Sequence, residues 1–495
     1  METFNWQCIE QFHQKKILVI GDFIIDEFIH GDSTRLSPEA PVPVVDVRSK
    51  RLVLGGAANV AANLKALGAK VFFCSITGDD ADGDAGFALV NSAGVSSDGV
   101  IRERHRATMV KTRVIADGHP LVRLDRGSDS VISSRSEQSL MRYVEQFFAI
   151  CDGIVIADYH KGVVTPGLIA HIQQLNRENP KFIAVDSKRL TLFRGLAPSL
   201  VKPNYEEALK LLGYERESGD RRAQLKRCGK LIFDKTNARW VVLTLDKDGS
   251  LWFENGKLLL EMDAPAVSVP HVCGAGDTFI SASTLALVSR DDASGAARIA
   301  TTAALIAIEK VHTSLCSRLE LLARLEQDQK LIVSTKRLRE IVAYHRELGH
   351  RIVFTNGCFD ILHSGHVNYL GLAKQLGDVL IVGVNSDESI TRLKGADRPI
   401  NSLSDRLSVL AGLGCVDHVV VFGDRSDDTP VALIREIAPD VFAKGGDYQD
   451  KALPEAALVE ALGGQVQLIP LTADRSTTSL IRKIYAQTRI NEVAN

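Results

Sequence analysis

A two-domain α/β protein, each domain built on a doubly wound parallel sheet and the first carrying a small β flap, is predicted by three observations. The chain has 495 residues, enough for two or three cores. Apolar runs of strand length alternate with helical stretches, as at residues 153–158, 181–186, 200–204 and 240–245, which implies sheets covered on both faces. Two glycine-bearing turns, Cys273-Gly274-Ala275-Gly276-Asp277 and Thr355-Asn356-Gly357-Cys358-Phe359-Asp360-Ile361-Leu362-His363-Ser364-Gly365-His366, each lead into a helix.

Composition narrows the function. With 45% hydrophobic and 24% charged residues the chain reads as a globular protein, and a formal charge of −2 supplies no basic field for nucleic acid. Residues 1–16 mix Glu2, Glu10, Lys15 and Lys16 with apolar residues, so no signal peptide is expected. The apolar stretch 299–308 is far short of the ~20 residues a membrane span needs. Eight dispersed cysteines with no CxxC pair fit a reducing compartment. A cytoplasmic protein with neither membrane nor nucleic-acid partners is expected.

In chain order, residues 16–22 read as an apolar strand ending in Gly21-Asp22, with Asp26 beyond it. Gly55-Gly56-Ala57-Ala58-Asn59 opens a helix; paired glycines permit close approach and Asn59 can hydrogen-bond a polyol, although a plain turn and cap would use the same residues. Residues 41–46 and 109–115 alternate apolar and polar side chains, which suggests a small antiparallel sheet that covers a sugar. Lys111, Arg113 and Arg123 can meet its phosphate or simply face water. At the ends of the next strands fall Asp158, Asp186, Asn204 and Glu207, where ligands of such sheets bind. In the first turn, Gly274, Ala275 and Gly276 can aim N–H groups at a transferring phosphoryl group, and Asp277 can either accept a proton from an attacking hydroxyl or cap the helix.

GGAAN, ADYHKG, KPNYEE and GAGD, in that order, resemble the PfkB or ribokinase family of sugar kinases over roughly the first two-thirds of the chain. The resemblance implies a ribokinase-like fold, Asp277 as catalytic base, an anion hole at Gly274, Ala275 and Gly276, and an ATP site at Asn204, Tyr205, Glu206 and Glu207. A sugar site at Asp22, Asp26, Gly55, Gly56 and Asn59, with Lys111 and Arg113 from the flap, is implied as well. Ser187 where a Pro is usual, His271, Cys273 and His312 depart from the family pattern and touch its nucleotide or monovalent-ion contacts more than the base.

After Cys316 the chain turns charged and helical, which marks a domain junction. The expected layout is a kinase domain at 1–316, a helical linker at 317–345 and a second α/β domain at 346–495. In that domain residues 351–354 read as a buried strand leading into the second turn. His363 and His366, three apart at a helix start, can face one phosphate and stabilise charge on it without a covalent intermediate. With Cys358 they lack a fourth metal ligand, so no resident metal is expected. Lys394, Arg398 and Lys444 follow later strands, and Ser476, Thr477 and Thr478 precede the last helix, all placed to meet phosphates.

GCFDILHSGH is similar to the GxFDxxHxGH signature of the cytidylyltransferase-like nucleotidyltransferases, which implies a Rossmann-like domain with Thr355, Asn356, Gly357, Phe359 and Asp360 at the nucleotide. Taken together, the text at 34–45, GGAANVAANL, GAGD, TNGCFDILHSGH, VNSD, RLKG, KGGDY and RSTT resembles the family of bifunctional heptose-phosphate kinases and adenylyltransferases of lipopolysaccharide core synthesis over nearly the whole chain. The implied cofactors are ATP and Mg²⁺, with K⁺ as a candidate activator; the implied partners are sugar phosphates and further copies of the chain, as a dimer or higher homo-oligomer. The residues by themselves specify sugar kinase plus nucleotidyl transfer, and leave open another polyol phosphate, CTP, an inert kinase half acting as a scaffold, or a nucleotide-binding regulator.

Overall fold

The computed structural model describes residues 7–217, 219–264, 274–290, 292–310, 315–332, 334–423, 427–445 and 454–470. The chain divides into two compact units, 1–322 and 323–495.

The first unit contains β1 (Lys16–Gly21), β2 (Phe23–Leu36), β3 (Pro43–Gly55), β4 (Lys70–Gly78), β5 (Gly99–Glu103), β6 (Val110–Ala116), β7 (His119–Arg126), β8 (Gly153–Asp158), β9 (Phe182–Ser187), β10 (Leu200–Val201), β11 (Trp240–Thr244), β12 (Ser250–Glu254) and β13 (Lys257–Met262). Nine of them form one sheet in the order β13-β12-β11-β10-β9-β8-β1-β4-β5. It is parallel from β5 to β11 and ends in an antiparallel edge hairpin. The interiors of its central strands are apolar because helices cover both faces: Ile17, Leu18, Val19, Ile154, Val155 and Ile156 are all inaccessible to solvent. Strand order reverses between β1 and β8, and at such a switch point the C-terminal strand ends open a crevice.

The flap is a second sheet, β3-β2-β6-β7, and its pairing corrects the expectation of an antiparallel one. β2 pairs β6 in parallel, with Asp26 opposite Lys111, while β2–β3 and β6–β7 are antiparallel hairpins. The cause is topological. β2 continues from β1 and β6 follows β5; those two strands are parallel in the main sheet, so both extensions leave its edge in the same sense.

The second unit has a six-stranded, wholly parallel sheet in the order β14-β17-β16-β15-β18-β19, formed by β14 (Leu331–Ile332), β15 (Ile352–Gly357), β16 (Val379–Asn385), β17 (His418–Phe422), β18 (Val441–Gly445) and β19 (Gln465–Ile469). Residues 331–332, within the segment expected as linker, thus pair in this sheet, between the helices Arg318–Lys330 and Thr335–Glu347. Strand order reverses at β15, so Thr355, Asn356 and Gly357 end the strand at the switch point.

Candidate active sites

In the first unit the site is assembled from the ends of strands and helices. The helix Ala275–Arg290 carries Asp277 in its first turn, after Gly274 in a left-handed turn with φ of 86°. One oxygen of the Asp277 carboxylate accepts a 2.7 Å hydrogen bond from the Asn59 amide, and the other accepts the Tyr159 hydroxyl. Asn59 is itself set by the helix Gly56–Ala66, where the Asn63 amide donates 2.9 Å to its carbonyl oxygen. Thr278 donates to Asn63 in turn, so the two helices are locked beside each other at the base.

Charge is concentrated at this point. Lys202, just past β10 and only 5% exposed, pairs with Asp186 at 3.0 Å. A methyl group on Gly276 would stand 3.3 Å from the Lys202 ammonium, which places that cation against the glycine turn. Burial pushes Asp277 up to about 6. Burial opposes the charge of Lys202, yet Asp186, Glu207 and Asp277 together hold its pKa above the usual lysine range. Glu207 is raised by burial and by Asp186. Three raised pKa values in one crevice, two carboxyls pushed toward their neutral form and one lysine held in its charged form, are the pattern of a chemical site.

The other expected residues divide by what they touch. Asp26 pairs with Arg113 at 2.6 Å, and a side chain at Gly55 would meet the Asp26 carboxylate at 2.5 Å; Gly56 has φ of 54°. Lys111 stands over the Tyr159 ring at 5.5 Å. These flap and turn residues gather beside the base. Asp22, fully buried, accepts backbone N–H groups of Tyr159, Lys161 and Val163 and so anchors the loop after β8. Asp158 binds Arg189 and Ser187. Asn204 and Glu207 form a reciprocal cap on the helix Tyr205–Leu212, Tyr205 is buried with its hydroxyl on Gln224, and Glu206 is exposed. Beside Glu207 opens a cleft of about 340 Å³, lined by Ser187, Lys188, Leu190, Leu192 and Lys210 among others. His271, Cys273 and His312 lie outside the described residues.

Tyr159 and Lys202 were missed as site residues in the sequence. Each stands one position past a strand end, and in KPN and ADY that position was the available signal.

In the second unit β15 delivers its C-terminal turn to the helix Ser364–Lys374, with His363 as N-cap residue. The His363 and His366 rings are 4.0 Å apart at their centres, so the two expected histidines do share one spot. Phe359, in a left-handed conformation with φ of 46°, sets its ring edge-on to His366. Burial, His363 and Lys394 hold His366 down at about 4. The Asn356 side-chain oxygen is buried with no hydrogen-bond partner among the described residues. Thr355 instead shares a hydrogen bond with Tyr369, deep in the core.

Asp360 is 3% exposed and accepts N–H groups of Ile400 and Asn401 and the Arg398 guanidinium, so Asp360 and Arg398 pin one loop together. Lys394 is exposed at the end of the helix Asp387–Lys394, and Lys444 is buried at the end of β18 above the Phe442 ring. Arg406, unforeseen in the sequence, is fully buried and joins the Cys358 carbonyl to Asp387, which fixes the turn from behind. Ser476, Thr477 and Thr478 lie outside the described residues.

Among the described residues no group of three or more His, Cys, Asp or Glu side chains is arranged to hold a metal ion, and no helix is long and apolar enough to cross a membrane.

Comparison with known proteins finds one family match for each unit. Residues 14–319 match the pfkB family of carbohydrate kinases and residues 354–483 the cytidylyltransferase-like family. The first unit shares its fold with phosphofructokinase-2 from Escherichia coli in complex with potassium (TM-score 0.51, 20% identity, covering 62% of this chain and 96% of that one). It likewise shares it with Arabidopsis thaliana ribokinase complexed with ribose and ATP (TM-score 0.50, 19% identity, 63% and 98%). The bifunctional protein HldE of Wolinella succinogenes is 39% identical over 94% of this chain and 97% of its own length, and that of Helicobacter pylori 38% over 95% and 98%. A pfkB carbohydrate kinase and a cytidylyltransferase-like transferase in one polypeptide, alike over nearly the full length of both proteins, mean that the chain belongs to the family of the bifunctional protein HldE.

Proposed function

We propose that the two sites perform the two transfers of this family with the residues described above. In the first, heptose 7-phosphate is phosphorylated at its anomeric hydroxyl. Asp277 takes the hydroxyl proton, the oxygen forms a bond to the γ-phosphorus of ATP, the β,γ-bridging P–O bond breaks, and ADP leaves with the electron pair. The backbone N–H groups of Gly274, Ala275 and Gly276, with Lys202, neutralise the charge that builds on the transferring group. Asn59, Gly55 and Gly56 line the sugar side, and Asp26, Lys111 and Arg113 close it from the flap. Asn204 to Glu207 border the nucleotide, with Glu207 as the carboxylate to meet Mg²⁺, an ion held by one or two carboxylates together with phosphates. Bound there, Mg²⁺ supplies charge neutralisation. K⁺ is a candidate activator.

The carrying observation is the Asp277 carboxylate, held on both oxygens at the mouth of the switch point with a buried cation beside its helix N-terminus.

After a separate phosphatase has removed the 7-phosphate, the second site joins heptose 1-phosphate to ATP. A sugar-phosphate oxygen attacks the α-phosphorus, and pyrophosphate leaves as ADP-heptose forms. His363 and His366 stabilise that charge; Asn356, Gly357, Phe359, Lys394 and Lys444 border the nucleotide, with Ser476, Thr477 and Thr478 at its outer phosphates. The proposed layout keeps the kinase within 1–316 and the transferase within 346–495, in a cytoplasmic homo-oligomer. Support for a flap-mediated contact is the exposed apolar set Leu121, Val122 and Leu124 on β7.

³¹P NMR tests both halves. Asp277→Asn is expected to abolish ADP formation from heptose 7-phosphate while pyrophosphate release from heptose 1-phosphate persists, and His366→Ala to do the reverse. Loss of both activities in either folded variant would defeat the assignment.

A further inference from the structure

Resting on the reading of Asp277 as the base, we propose that Tyr159 is a positioning residue of the kinase reaction, its hydroxyl fixing and keeping ionised the carboxylate that must receive the substrate proton. The argument is geometric. Asp277 has one oxygen on the Tyr159 hydroxyl and the other on the Asn59 amide, so the carboxylate plane is set from two different elements, the loop after β8 and the helix Gly56–Ala66. Each oxygen retains a lone pair for the incoming hydroxyl.

The tyrosine is itself held with little freedom. Its backbone N–H donates 2.8 Å to the buried Asp22 carboxylate, which also takes the N–H groups of Lys161 and Val163. The intervening turn places His160 at φ of 61° and Gly162 at 85°, a path that Asp22 stabilises from beneath. Lys111 of the flap lies over the other end of the same side chain, on its ring face. A continuous set of contacts therefore runs from the end of β1, through Tyr159, to the base, with the flap cation resting on the connecting ring.

Such a donor matters because the carboxylate is in a dry place. Burial drives Asp277 toward its neutral, unreactive form, and the bonds from Tyr159 and Asn59 act against that. Asp186 pushes in the same direction as burial and Lys202 in the opposite one. The phenol will not surrender its proton to the carboxylate, because burial and the neighbouring Asp277 hold it well above the ordinary tyrosine range. It donates without being consumed.

Tyr159→Phe keeps the ring and deletes only the donor. In the full-length enzyme kcat of the kinase is expected to fall about tenfold near neutral pH, with KM for the sugar phosphate and for ATP changed less than about twofold. The acidic limb of the kcat/KM profile is expected to move up by about one pH unit. A calorimetric transition of the first unit unchanged from that of the parent protein reports that the kinase unit is folded. Replacing Tyr159 by 3-fluorotyrosine, a more acidic phenol of nearly the same shape, is expected to move that limb the other way. A kcat loss with the acidic limb unmoved in both variants would reduce Tyr159 to a packing residue, and unchanged kcat in Tyr159→Phe would overturn the proposal. Kinase activity surviving in Asp277→Asn would instead bring down the base assignment on which it rests.

Discussion

Burial acts with opposite sign on the two central side chains. It lifts Asp277 to about 6 and lowers His366 to about 4, each toward its neutral form. The base must ionise to work, so kinase activity should decline as pH falls through about 6. His366 is neutral in the free protein at pH 7, and a triphosphate anion beside it favours its cation. NMR of ring-labelled histidine should therefore show His366 titrating well below the ordinary value of about 6.5, and moving upward when ATP is added. A further histidine chain lies on β17 and its neighbours: His345 contacts His350 at 3.0 Å and His418 at 3.1 Å. Burial and His345 hold His418 near 4. Its folded pKa is depressed, so the unfolded chain takes the proton first. The stabilisation is complete above about pH 6.5 and is lost as pH falls from there toward 4, on the order of 1–2 kcal/mol by pH 5. Denaturant titrations at pH 7.5 and 5 should show the second unit less stable at the lower pH, and His418→Leu should remove that share of the difference while the share of His366 remains.

At the scale of elements, both sites depend on strands and helix ends meeting without interposed side chains. Gly21 shows the tolerance: opposite Ala157 in the β1–β8 pair, a Cβ there would lie 2.0 Å from the Ala157 carbonyl oxygen and 2.9 Å from Ala57. Relief requires β1 and β8 to separate where Asp22 and Tyr159 begin. Gly21→Ala is expected to cost the first unit roughly 2–4 kcal/mol. Calorimetry should show its transition lowered while that of the second unit stays in place. The parallel β2–β6 pair has a related consequence, since it sets Asp26 beside Lys111 and so brings Asp26, Lys111 and Arg113 of the flap together.

For the molecule as a whole, two units with separate cores and separate phosphate turns should act as independent catalysts. A mixture of Asp277→Asn and His366→Ala proteins, supplied with a sugar 7-phosphatase, should carry heptose 7-phosphate through to ADP-heptose. Product formation no faster than with either variant alone would mean that both activities must reside in one chain.

What the sequence determined by itself was the local grammar: apolar runs that need helices on both faces, and two glycine turns whose residue types match phosphate chemistry. His363 and His366 were legible because three residues on one helix suffice to bring them together. Tertiary structure decided what depends on distant pairings. Tyr159 and Asn59 reach Asp277 across 118 and 218 residues, and no local spacing announces that. Asp22 was expected at the sugar and Asp360, from the family signature, at the nucleotide; what tertiary structure adds is that both carboxylates accept hydrogen bonds from neighbouring loops. The flap's mixed pairing likewise followed from the direction in which two strands leave the main sheet, a property of the assembled fold and of neither strand alone.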